Sequence, residues 1–116
     1  MGEGDLAIIH QFFREISPHR SGGTIIEAKS VSAEEAEYRP SRRKRDREQY
    51  AVAMGQERAD LDVWYALRVK LARGQRGVEW RFCRPSQFSR TRSGQPVFRR
   101  RDGITLERFL AELPPL

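Results

Sequence analysis

Glu27 and Lys29 stand two positions apart in the run TIIEAKSV, residues 24–31. The run is rich in β-branched residues and reads as a strand, where side chains two apart share a face. A carboxylate can ligate a divalent cation. A neighbouring ammonium can steady an attacking water or the charge developing on a phosphorane. The pair is therefore a candidate half-site for metal-dependent phosphodiester cleavage, with Mg²⁺ as its cofactor. The plainer reading is a solvated or cross-strand ion pair on the outer face of a strand.

The stretch IIEAK resembles the second half of the signature of the PD-(D/E)XK nucleases. A helix carrying Glu48 and Gln49 follows, and then the apolar strand DVWYALRV, in the order seen in that superfamily. The likeness covers about 45 residues. It implies a nuclease-like core with Glu27 and Lys29 in catalytic roles. That family's pattern also places an aspartate on a hairpin strand just before E-x-K. Here the 23 residues before Thr24 read largely as helix, with Asp5 at its cap and Glu15 inside it. A site with one carboxylate binds Mg²⁺ poorly. The leading expectation is thus a non-enzymatic protein with no cofactor, and the compact nuclease is the alternative.

Charge points to that leading expectation. The net charge is +6, and it is unevenly spread: residues 1–38 carry −4, 39–67 carry +2, 68–101 carry +10 and 102–116 carry −2. Of 22 basic residues 19 are arginine, a bias that a GC-rich genome would also produce. The guanidinium fork nevertheless suits bidentate phosphate contacts better than an ammonium does. One basic run, RPSRRKRDREQY, sets Arg42, Arg43, Lys44, Arg45 and Arg47 close together, a candidate phosphate-binding loop over 39–47. Its bland counterpart is a solvated loop facing Glu34, Glu35 and Glu37.

A second basic set lies on strands. Residues 61–71 come close to strict alternation, with Leu61, Val63, Tyr65, Leu67, Val69 and Leu71 at the odd positions. If the odd face is buried, Trp64, Arg68 and Lys70 share the other. Val78, Trp80 and Phe82 repeat the alternation and put Arg81 opposite them. The later strands add Arg90, Arg92, Arg99, Arg100 and Arg101. An exposed tryptophan among arginines suits base stacking with phosphate neutralisation. Nucleic acid is the expected partner. An acidic protein would exploit the same charge, with Trp64 or the C-terminal LPPL as anchors, which makes an interaction module the third reading.

These side chains need a scaffold. The spacing of Leu6, Ile9, Phe13 and Ile16 predicts a helix over 5–16, closed by Ser17-Pro18. Strand 24–31 follows, then SAEE as a capping-box turn running through Tyr38. A helix from about Asp46 leaves 39–45 as loop, because arginine is the wrong charge for a helix N-terminus. Strands 61–71 and 78–83 form a hairpin through RGQRG. Ser93-Gly94 joins extended pieces near 87–92 and 95–101. A last helix over 105–113 presents Leu106, Phe109, Leu110 and Leu113, capped by Thr105 or Asp102. The order predicts one α+β domain over 1–116: a twisted, mainly antiparallel sheet of four to five strands with helices on one face.

The remaining features are quieter. Cys83 is the one cysteine, which excludes an internal disulfide and a multi-cysteine zinc site. It has no histidine near it in sequence, and it reads as a structural or surface thiol. His10 and His19 have no matching ligand set. No apolar run reaches the length of a membrane span, and the first twenty residues lack a signal pattern, so no membrane partner and a cytoplasmic location are expected.

Overall fold

The computed structural model describes residues 24–71 and 77–112. The helix expected over 5–16, with Asp5, His10 and Glu15, lies outside the described residues, as do His19 and the C-terminal LPPL.

The centre of the fold is a four-stranded mixed sheet in the order β1-β3-β4-β7. Strand β1 spans Thr24–Ser32, β3 Asp62–Lys70, β4 Val78–Cys83 and β7 Ile104–Thr105. Strands β1 and β3 run parallel, with Thr24 opposite Asp62 and Ser32 opposite Lys70. Parallel neighbours need a crossover, and helix α1, Lys44–Arg58, supplies most of it. β4 runs antiparallel to β3 and sets Arg68 against Trp80 and Leu67 against Arg81. A second, three-stranded antiparallel sheet has the order β2-β6-β5, with β2 at Glu37–Tyr38, β5 at Ser89–Arg90 and β6 at Pro96–Arg99. The expected α+β class is what the chain forms.

Strand β3 is buried on both faces, where alternation alone suggested one. Val63 to Val69 are all buried, including Trp64, Ala66 and Arg68. One face carries Val63, Tyr65, Leu67 and Val69. Ala53 and Tyr50 of α1 cover it, together with Phe88 and the second-sheet residues Tyr38 and Phe98. The other face carries Trp64 and Ala66, joined by Trp80 and Phe82 and covered by Phe109 of helix α2, Leu106–Glu112. The two described helices therefore lie on opposite faces of the sheet, not on one. The reason is length: a nine-residue central strand with apolar groups on both sides needs two covers. Each fully buried aromatic or branched side chain contributes about 1.5–3 kcal/mol.

Local signals explain most boundaries. SAEE forms a turn, with the Glu35 N–H donating to Ser32 Oγ at 3.3 Å, but no helix follows. Ala36 adopts a φ of 48°, and the chain leaves as strand β2. α1 begins at Lys44, two residues before the expected Asp46. Pro40 opens a short 3-10 turn, Pro40–Arg42, and Asp46 still places a carboxylate in the helix's first turn. The loop expected over 39–45 is thus divided between that turn and the helix. Ser93-Gly94 makes the expected hairpin, Gly94 taking a φ of 86° and Thr91 N–H donating to Gln95 O at 2.8 Å. Thr105 Oγ1 accepts from Arg108 N–H at 3.2 Å, the expected cap of α2. Leu110 of the expected stripe is exposed.

Gly103 is packed tightly between Arg81 of β4 and Phe98 of β6. A Cβ there would stand 2.8 Å from Arg81 Cβ and 2.9 Å from Phe98 Cε1. Its φ of −100° is ordinary, so the requirement is space and not backbone freedom. Gly103→Ala is expected to destabilise the fold by about 1–3 kcal/mol through overpacking, read as a lower denaturation midpoint.

Candidate nucleic-acid interface

Lys29 does not pair with Glu27. Its Nζ donates to Gln49 Oε1 at 2.8 Å and to Asp46 Oδ1 at 3.3 Å, both on α1. The same ammonium lies 5.7 Å from the Tyr38 ring centroid. The solvated or cross-strand ion pair of the plainer reading is not formed; the ammonium instead ties β1 to α1. Glu27 makes no hydrogen bond or ion pair among the described residues. It sits opposite Tyr65 in the parallel register. The Tyr65 hydroxyl is buried and has no hydrogen-bond partner among the described residues. Burial, and then the nearby Glu27 carboxylate, push its pKa well above the ordinary phenol value. Burial and then Asp46 do the same for Tyr38.

Among the described residues no group of three or more His, Cys, Asp or Glu side chains could hold a metal ion. Mg²⁺ binds through several oxygens. Near Glu27, the Asp46 carboxylate faces an ammonium instead of an open cation site. The described residues do not fit a resident metal.

Arginines gather elsewhere. A groove of about 660 Å³ opens between the Pro40–Arg42 turn and the Thr91–Gln95 hairpin. It is lined by Arg39, Ser41, Arg42, Thr91, Arg92, Ser93, Gln95 and Arg99, with no carboxylate among them. A second hollow of about 690 Å³ shares Arg99 and adds Arg81, Arg100 and Arg101, along with Glu35 and Glu37. A smaller one of about 250 Å³ shares Arg39 and Arg42, adds Arg43, and reaches inward to Lys29 and Asp46. The three hollows adjoin around β2.

Not every guanidinium in these hollows is available. Glu37 holds Arg39 at 2.9 Å and Arg99 at 3.6 Å. Glu79 takes Arg81 at 2.6 Å and also Arg100. Burial pushes Glu79 up, but the hydrogen bonds from Arg100 and Arg81 outweigh it and hold the carboxyl below its ordinary range. Arg42, Arg43, Arg92 and Arg101 are exposed and have no acidic partner among the described residues.

Two segments far apart in sequence thus converge. The basic run contributes Arg42 and Arg43, and the late strands contribute Arg92, Arg99 and Arg100. Lys44, Arg45 and Arg47 are exposed on the first turn of α1, and Arg47 donates to Ser41 O at 2.9 Å. Arg90 donates to Gly94 O at 3.4 Å within its own hairpin. Lys70 is exposed at the end of β3. None of these five lines the three hollows.

Two expected contact residues are not on an open surface. Trp64 is 7% exposed, edge-on to Phe109 at 5.0 Å, with the Arg84 guanidinium 4.2 Å from its ring centroid. Its indole N–H donates to Asp62 at 2.9 Å. Arg68 is 2% exposed and donates to Ser30 Oγ at 2.9 Å. The register corrects a further grouping. Arg68 opposes Trp80, so Trp64 and Arg68 share the Trp80–Phe82 face, while Arg81 projects from the other. The expected open arginine-tryptophan sheet face is therefore not formed: Trp64, Arg68 and Trp80 share a face, but it is buried. Sequence reasoning placed Arg39 in the basic run without singling it out, although its place beside Pro40 at the turn was a signal.

Cys83 is 1% exposed, and burial pushes its thiol up to about 12, as an inert structural cysteine requires. Among the described residues no helix is long and apolar enough to cross a membrane. Comparison with known proteins finds no matching family model, no matching curated protein and no matching solved structure.

Proposed function

We propose that the chain is a small nucleic-acid-binding protein that seats phosphates in the groove between the Pro40–Arg42 turn and the Thr91–Gln95 hairpin. One observation carries the reading: among the described residues that groove is lined by four arginines, two of them with no acidic partner, and by no carboxylate. Solubility does not require like charges to converge from two segments of chain. The hydroxyls of Ser41, Thr91 and Ser93 add donors for phosphate oxygens. Trp64 and Arg68 have no part in this reading.

A salt titration of binding to DNA and RNA tests it. The logarithm of affinity should fall linearly with the logarithm of salt concentration as counterions are released. Absence of binding at low salt would remove the proposal, and binding to an acidic polypeptide alone would replace it with the interaction-module reading. Including Mg²⁺ or Mn²⁺ in the same reactions tests the nuclease alternative. Cleavage by the wild type that is lost in Glu27→Ala would establish it.

Glu37 limits the charge available in the groove, since it neutralises Arg39 and Arg99. Glu37→Gln keeps the shape and removes the carboxylate. It is expected to tighten binding at low salt by about two- to tenfold and to steepen the salt dependence. Fluorescence anisotropy with a labelled oligonucleotide reads both.

A further inference from the structure

We infer that the groove takes the sugar-phosphate backbone of a duplex and does not hold a single strand through its bases. The inference rests on the nucleic-acid reading above and names its substrate class.

Single-strand binding without sequence preference combines a basic track with aromatic side chains on which successive bases stack. Here the basic track is present, and the described aromatics are committed to the interior. Trp64, Trp80, Phe82, Phe88, Phe98 and Phe109 are all 8% exposed or less. They are also packed on one another: Phe82 and Phe109 stack at 4.1 Å, and Phe88 meets Tyr65 at 5.0 Å and Phe98 at 5.2 Å. Tyr50 is half-buried, its ring 5.3 Å from Phe88 and its hydroxyl donating to Pro85 O at 2.9 Å. Freeing any of these rings would open the core.

The groove lining itself is guanidinium, hydroxyl and amide. Those groups address phosphate and sugar oxygens, which fix position and carry no base sequence. The hairpin side of the groove is also braced. Thr91 Oγ1 accepts from Gln95 N–H at 3.1 Å and lies 3.1 Å from Ser93 Oγ. A braced rim matches the regular phosphate spacing of a helix better than the variable path of a free strand. A duplex also carries the denser charge and the larger counterion release per neutralised phosphate.

The test is a set of anisotropy titrations at one low salt concentration, using the full chain. The probes are a mixed-sequence DNA duplex, its two separated strands, an RNA duplex of the same sequence, and oligo-dT. Expected are duplex binding at least about tenfold tighter than any single strand, in the DNA arm, the RNA arm or both, and no quenching of tryptophan emission by oligo-dT. Changing the duplex sequence should alter affinity by no more than about threefold. Single strands binding as tightly as duplex, or quenching tryptophan, would overturn the inference and leave the nucleic-acid reading standing. No binding to any probe would overturn both.

Discussion

Replacing Arg42 and Arg92 together by alanine is expected to weaken nucleic-acid binding by about tenfold or more at low salt. It should also lower the slope of log affinity against log salt by about 2, close to one released counterion per lost phosphate contact. Both side chains are exposed, line the same groove from opposite rims and have no acidic partner among the described residues. Removing them therefore leaves no buried charge unpaired, and stability should stay within about 0.5 kcal/mol of wild type. Two positive charges are also lost from the whole molecule, and that alone weakens attraction to any polyanion. A control separates the effects. Lys44→Ala with Arg108→Ala removes the same charge from α1 and α2, from side chains that line none of the three hollows and are paired with Glu48 and Glu112. The control should keep most of the affinity. Equal losses in the two double variants would mean that net charge, and not the groove, drives binding.

How much of this was legible in the sequence varies by element. Strands β1, β3 and β4, helix α2 and the Ser93-Gly94 hairpin follow from periodicity and turn chemistry, which act over a few residues. The burial of Trp64 was not legible, because alternation assigns two faces and does not say how many are covered. Phe109, forty-five positions away, decides that point. The grouping of Arg81 with Trp64 and Arg68 failed for a similar reason: alternation puts Arg81 opposite Trp80 and Phe82, but the pairing of Arg68 with Trp80, which decides the shared face, is not visible in the hairpin sequence. Lys29 shows the opposite case. Its spacing from Glu27 suggested a pair, but helix α1 offered it Asp46 and Gln49, and a partner on a packed helix displaced the neighbour on the strand. The groove joins residues about fifty positions apart, so composition could give its charge but not its place.

Phe109→Ala tests the face of the sheet that the sequence misjudged, and the expected loss of stability is about 3–5 kcal/mol. Phe109 is fully buried, parallel to Phe82 at 4.1 Å and edge-on to Trp64 at 5.0 Å. Helix α2 has seven residues, too few to hold itself together in water, so its attachment depends on the side chains it buries. Phe109 is the one of these that is completely enclosed. Its removal leaves a cavity against two aromatic rings and weakens the helical cover over Trp64 and Ala66. Denaturant unfolding should show a lower midpoint. Tryptophan emission of the folded variant should shift to the red as water reaches Trp64. Leu110→Ala, at a side chain already 37% exposed, should cost less than about 1 kcal/mol and leave the emission unchanged. If the Phe109 variant remains folded, it also uncovers a tryptophan beside the Arg84 guanidinium, which is the kind of stacking platform the native protein keeps buried. A gain of single-strand binding in that variant, with the duplex affinity of the groove unaltered, is the outcome expected from the same geometry on which the inferred duplex preference rests.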